Sequence, residues 1–339
     1  MKFNGLSAQE ERVLIDLRQA YQAYQDHMQA EARFRGSMGW KTVSGAEYLV
    51  RHLDGRGSQK SLGRRSEETE RILATFVHGK AEFLERKGTL QRNLTMLSAM
   101  ARSIGLGRVP HVVGKLLRAL QAQGVLGAQV LIAGTHALYA YEAAAAVRLD
   151  GEMLATADVD ILIDARQRLK LINLRQDGTA EPGLMDLLLS VDSTFRRMNN
   201  VPFRAVNQHG FMVDFIKSAL PLNRASDALG VLDPTDLQPV EVHKLDWLLS
   251  SPKFEATVID SAGKPAPMVV PDPRAFALHK KWLSEQPDRE PEKRARDAMQ
   301  ARAVVELLVN RLQHLPLSKA ALQQFPEVLV DNSDLDWSL

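Results

Sequence analysis

Two aspartates stand two residues apart inside an apolar run, Ala157-Asp158-Val159-Asp160-Ile161-Leu162-Ile163, and a third stands in a second such run, Phe211-Met212-Val213-Asp214-Phe215-Ile216. Side chains on a strand alternate faces, so Asp158 and Asp160 must point the same way. Their apolar neighbours predict buried strands, yet carboxylates are almost never buried without a partner. Three carboxylates meeting at one sheet repel one another unless a cation neutralises them. Oxygen-only donors of this kind suit Mg²⁺, which takes a few carboxylates together with phosphate oxygens and water. The chemistry such a set supports is metal-dependent phosphoryl or nucleotidyl transfer, with Asp158, Asp160 and Asp214 as catalytic residues and metal ligands.

An upstream segment supplies a place for the phosphates. Ala128-Gln129-Val130-Leu131-Ile132-Ala133 reads as a strand, Gly134-Thr135-His136 as a turn, and Ala137 to Ala146 as a helix. Gly134 lets the backbone approach a ligand closely, and Thr135 offers a hydroxyl at the helix N-terminus. Free amides and the helix dipole there favour an anion such as a triphosphate. Thr156, just before the aspartate pair, supports the same loop through its hydroxyl.

The elements that must hold these residues follow from periodicity and turn signals. Residues 1–125 read as a helical N-terminal domain. Ser7-Ala8-Gln9-Glu10 fits a capping box, Ser66 caps a long helix, and Pro110 opens another that closes before Gly124. Between the first two lies a Gly/Ser/basic loop, residues 53–66, carrying Arg56, Lys60, Arg64 and Arg65, with Trp40, Lys41 and Tyr48 nearby. It is expected to contact an acceptor or phosphates, with aromatic stacking added. Residues 126–272 alternate strands and helices as the catalytic domain. Asn207-Gln208-His209-Gly210 reads as a hairpin turn that sets Asp214 beside the strand of the aspartate pair. A second hairpin joins Glu255–Ile259 to Met268–Val270, and Pro271-Asp272-Pro273 ends it. Residues 273–339 read as a C-terminal helical region completing the nucleotide site.

The order of Gly134-Thr135, Asp158-x-Asp160 and Asp214 resembles the DNA polymerase β-type nucleotidyltransferase superfamily. Within it, Gly134 to Glu142, Thr156 to Leu162 and Phe276-Ala277-Leu278-His279-Lys280 are similar to bacterial nucleotidyltransferase-domain proteins related to abortive-infection and type IV toxin–antitoxin toxins. The resemblance covers roughly residues 126–310. It implies an α+β fold with a mixed sheet flanked by helical regions. It implies transfer of a nucleoside monophosphate from an NTP, ATP among them, to an acceptor hydroxyl, with two Mg²⁺ (or Mn²⁺) ions and pyrophosphate release. Asp158 and Asp160 would bridge both ions, and Asp214 would hold the one that activates the hydroxyl and accept its proton. Lys280, matching a lysine of those toxins, would contact the triphosphate. The implied acceptor is a tRNA 3′ end or a protein side chain, and an antitoxin is among the implied partners. Thr135 stands where serine is commoner, and the hydroxyl survives.

Composition sets outer limits. At 339 residues with 45% hydrophobic and 25% charged content, the chain is long enough for two or three domains with a sizeable core. No apolar run long enough to span a bilayer is present, no signal peptide is evident, and no membrane is expected as a partner. Cysteine is absent, which excludes disulfides, thiolate zinc sites and cysteine nucleophiles and agrees with a cytoplasmic location. A net charge of +2 confines any nucleic-acid footprint to a local patch. Three rivals share parts of this pattern: a catalytically degenerate nucleotide-binding or regulatory protein, a nucleic-acid-binding scaffold, and a small-molecule transferase of the antibiotic-modifying type.

Overall fold

The computed structural model describes residues 3–53, 59–166, 171, 183–219, 233–327 and 330. The chain forms two compact units, one of residues 1–11 and 105–339, the other of residues 12–104.

The smaller unit contains most of α1 (Ala8–Met28), then α2 (Glu31–Phe34), a sheet of β2 (Ser37–Val43), β3 (Ala46–His52) and β4 (Gln59–Arg64), and the long α3 (Glu67–Ser103). All three strands are antiparallel in the order β2-β3-β4. This corrects the expectation of a purely helical region up to residue 125 and of a loop over 53–66. The signal missed is Val43-Ser44-Gly45-Ala46: Ser44 and Gly45 both take positive φ, 49° and 76°, the two-residue turn whose twist matches a hairpin. α3 begins where Ser66 predicts, with reciprocal hydrogen bonds between Ser66 and Thr69. Arg56 lies outside the described residues.

The larger unit opens with β1 (Phe3–Gly5), which pairs antiparallel with β6 (Val147–Leu149). α4 (His111–Ala122) belongs to this unit, so the break in the chain falls near residue 104 and not at 125. α4 turns Val113, Leu116, Leu117 and Leu120 into the core at helical spacing. Next come β5 (Val130–Ala133), a 3-10 turn over Gly134–His136, α5 (Ala137–Ala145), α6 (Gly151–Leu154) and β7 (Asp158–Ile163). α7 (Leu184–Val191), β8 (Arg196–Met198), β9 (Val201–Val206), β10 (Met212–Ser218), β11 (Val240–Val242) and α8 (Asp246–Ser250) follow. The β12 (Lys253–Ile259)–β13 (Pro265–Pro271) hairpin forms as its sequence predicts. α9 (Pro273–Glu285), α10 (Pro291–Asn310) and α11 (Lys319–Leu322) complete the unit. The architecture is α+β.

The central sheet runs β5-β7-β10-β9-β8, with β11 beside β10. β7 and β10 are parallel, and β5–β7, β9–β10 and β8–β9 are antiparallel. Odd-numbered positions Val159, Ile161, Ile163, Val213 and Phe215 enter the larger hydrophobic cluster with α4, α5, α7 and α10. Even-numbered Leu162 and Ile216 enter a second cluster with Trp247, Ala275 and Leu278. The sheet is therefore covered on both faces, which is why both central strands read as nearly continuous apolar runs. Asp158, Asp160 and Asp214 have the parity of the second face and sit toward the N-terminal ends of their strands. Among the described residues no helix is long and apolar enough to cross a membrane.

Candidate active site

Strand register brings the three carboxylates to one place. Asp160 on β7 is the partner of Asp214 on β10, and Asp158 is the partner of Met212, so all three lie on one face within two adjacent strands. On the other side Asp160 pairs with Ala133, the last residue of β5 before the turn. Gly134 has φ +61°, and a Cβ there would stand 2.0 Å from Asp160 Oδ2. Both the backbone region and the close approach require glycine. We expect Gly134→Ala to lose about 2 kcal/mol or more of unfolding free energy, read by urea denaturation.

The electrostatics are those of crowded negative charge. Asp160 keeps some surface yet lies deep among protein atoms; burial, then Asp158 and Asp214, push its pKa up to about 6. Asp214 is 5% exposed. The Thr156 hydroxyl donates to Asp158. The compensating cation is one that no sequence motif marks. Arg204 on β9 faces Asp214 across the antiparallel ladder. Its Nε and Nη2 donate to Asp214 Oδ1 and Oδ2 at 2.7 and 2.6 Å, and Nη2 lies 3.9 Å from Asp158 Oδ2. The hairpin sets this pairing: Asn207 Oδ1 accepts from the amides of His209 and Phe211, Gly210 takes φ +77°, and counting back from the turn puts residue 204 opposite 214.

Thr135 is nearly buried and accepts a hydrogen bond at 3.2 Å from Nε2 of Gln300 on α10. His136, given no role by its sequence context, is 1% exposed between Tyr139 and Phe211, and burial pulls its pKa down to about 4. Lys280 on α9 is 7% exposed, and its Nζ donates to Asp297 Oδ1 at 2.6 Å. Arg289 holds the other oxygen of Asp297 at 2.9 Å. Burial lowers the Lys280 pKa, with Asp297 and more distantly Asp160 opposing the shift. Lys293, four residues before Asp297, pairs with Glu290. Asp164 pairs with Arg166, and Glu142 with Arg108 at 3.5 Å.

The basic segment belongs to the smaller unit, where Lys60 and Arg64 are exposed on β4. Arg65 pairs with Glu47 and Glu70 and lies 5.0 Å over the Trp40 ring.

The donor chemistry fits a divalent cation: three oxygen-bearing side chains on one face, mutually repelling, with a cation already drawn among them. Among the described residues, however, no three acidic or histidine side chains already converge as an ion would require. Arg204 donates to both oxygens of Asp214 and so competes with a cation for their lone pairs. No curated protein and no solved structure matches the chain. A family model described as a nucleotidyltransferase matches residues 111–325. That stretch is more than half of the chain and contains the Gly134-Thr135 turn, all three aspartates, Lys280 and Asp297, so the chain belongs to the nucleotidyltransferase family.

Proposed function

We propose that this nucleotidyltransferase moves a nucleoside monophosphate from an NTP to an acceptor hydroxyl in a divalent-cation-dependent reaction. The observation that carries this reading is the register that sets Asp160 between Gly134 and Asp214 with Asp158 on the same face. The acceptor oxygen bonds to the α-phosphorus as the bond to the departing pyrophosphate breaks, and the hydroxyl proton passes to Asp214. Asp158, Asp160 and Asp214 hold the cations, two Mg²⁺ in the fullest form of the reading. Bound there, they lower the pKa of the attacking hydroxyl and offset charge on the leaving pyrophosphate. Gly134 brings the backbone against the phosphates, Thr135 donates its hydroxyl to them, and Lys280 places a fixed positive charge beside them.

The acceptor classes this reading carries are an RNA 3′ end and a protein side chain. Lys60 and Arg64, exposed beside Lys41 and Tyr48 on one sheet, are the residues in the smaller unit suited to an RNA acceptor. A cytoplasmic location and restraint by an antitoxin-type partner complete it. Incubation with labelled NTPs, Mg²⁺ or Mn²⁺, and total RNA or lysate protein should label one acceptor class. Binding of NTP by the intact protein with no transfer to RNA, protein or added aminoglycoside would favour a regulatory nucleotide-binding role, and label on the aminoglycoside alone a small-molecule transferase.

A further inference from the structure

Gln300 sits at the centre of α10, 0% exposed, and no sequence motif points to it. Its Nε2 makes two contacts, to the carbonyl of Met153 at 2.9 Å and to Thr135 Oγ at 3.2 Å. A backbone carbonyl can only accept, so the amide nitrogen must face Met153, and the orientation of the side chain is fixed by chemistry. The remaining amide hydrogen then goes to Thr135 Oγ. That oxygen is an acceptor in this contact, and the hydroxyl hydrogen is left to point elsewhere.

The other end of the same side chain shows that packing alone does not explain it. Gln300 Oε1 is buried and makes no hydrogen bond. An orphaned buried acceptor is costly, and an apolar residue of the same length would avoid it. One turn earlier on the same helix, Asp297 is also 0% exposed and holds Lys280. Residues three apart on a helix share a face. One face of α10 therefore grips both groups assigned to the phosphates, the Lys280 ammonium through Asp297 and the Thr135 hydroxyl through Gln300.

We propose that Gln300 is a positioning residue for the nucleotide: by donating to Thr135 Oγ it commits that hydroxyl to act as the donor to a phosphate oxygen. This rests on the reading of Gly134-Thr135 as the phosphate turn. Glutamate at 300 would reverse the polarity, since a carboxylate accepts the Thr135 hydrogen and turns it from the phosphate. An apolar residue would leave the hydroxyl free to rotate.

The test is equilibrium binding of ATP and of adenosine, and of the GTP/guanosine pair, to the full chain carrying Gln300→Met, Gln300→Glu, Thr135→Val, and Gln300→Met with Thr135→Val. Gln300→Met should weaken NTP binding about tenfold, the scale of one lost hydrogen bond to a charged group, and leave nucleoside binding unchanged. The double variant should bind NTP no more weakly than Thr135→Val alone, because Gln300 acts through that hydroxyl. Gln300→Glu is isosteric, serves if Gln300→Met misfolds, and should show the larger loss. Wild-type NTP affinity in a folded Gln300 variant, or losses that add to that of Thr135→Val, would overturn the proposal while leaving the phosphate turn intact. Unchanged NTP affinity in Thr135→Val would overturn the turn's assignment and this proposal together.

Discussion

Asp160→Asn should abolish nucleotidyl transfer, by a factor of about a thousand or more, and at the same time make the cation-free protein more stable. The two effects have one cause. The Asp160 carboxyl is pushed up to about 6 by burial and by Asp158 and Asp214. Its folded-state pKa lies above the unfolded value of about 3.9, so the fold binds this proton more tightly than the unfolded chain does. That contribution is fully present below about pH 4, declines as pH rises through about 6, and is absent above. Asparagine carries no charge to bury. Asp160→Asn should therefore match wild-type stability near pH 4 and exceed it by roughly 1–3 kcal/mol at pH 7.5, the scale set by a carboxyl pushed up to about 6. Urea unfolding at both pH values measures this. Adding Mg²⁺ or Mn²⁺ should stabilise the wild type and not the variant. A variant less stable than wild type at pH 7.5 would mean that the Asp160 carboxylate is satisfied by its surroundings and is not held in a strained, cation-hungry state.

Arg204→Met should do the reverse without added cation. Arg204 gives two hydrogen bonds to an Asp214 that is 5% exposed, and removing one member of such a pair leaves an uncompensated charge. Because Arg204 itself is partly exposed, we expect a loss of about 2–3 kcal/mol at pH 7.5, below the full range for a buried pair. The loss should shrink on addition of Mn²⁺. The same change removes the group that competes for Asp214, so Mn²⁺ affinity, followed by electron paramagnetic resonance, should rise about tenfold. Weaker Mn²⁺ binding in the variant would show that the guanidinium supports the cation site and does not compete for it.

How legible each of these residues is in the sequence depends on how far along the chain its partner lies. Asp158 and Asp160 share a face because strand geometry has a period of two, and a flanking apolar run is enough to show it. The strand, glycine turn and helix around Gly134 are legible because each step is a local preference. Arg204 is within reach of the same logic: Asn207 to Gly210 reads as a hairpin turn, and counting outward from it meets Arg204 opposite Asp214. It escapes notice because an arginine in a short strand looks like an ordinary solvated side chain. The β2-β3-β4 sheet is hidden for a similar reason. Ser-Gly is a weaker hairpin signal than Asn-Gly, and Lys41, Thr42 and Val43 form an exposed strand with little hydrophobic alternation. The sequence leaves Asp297 two partners, Lys293 at four-residue helical spacing and Lys280 farther back in the chain. Packing of α9 on α10 selects Lys280 and adds Arg289.

Chemistry confined to single segments is therefore enough to recognise the family, the α+β class, the shared face of Asp158 and Asp160, and the need for glycine before Thr135. Two further features come from the folded chain alone. Asp214 lies level with Asp160, and Gln300 reaches Thr135 from 165 positions away. Those pairings depend on strand order and helix packing, which burial of the whole core selects and no local preference encodes.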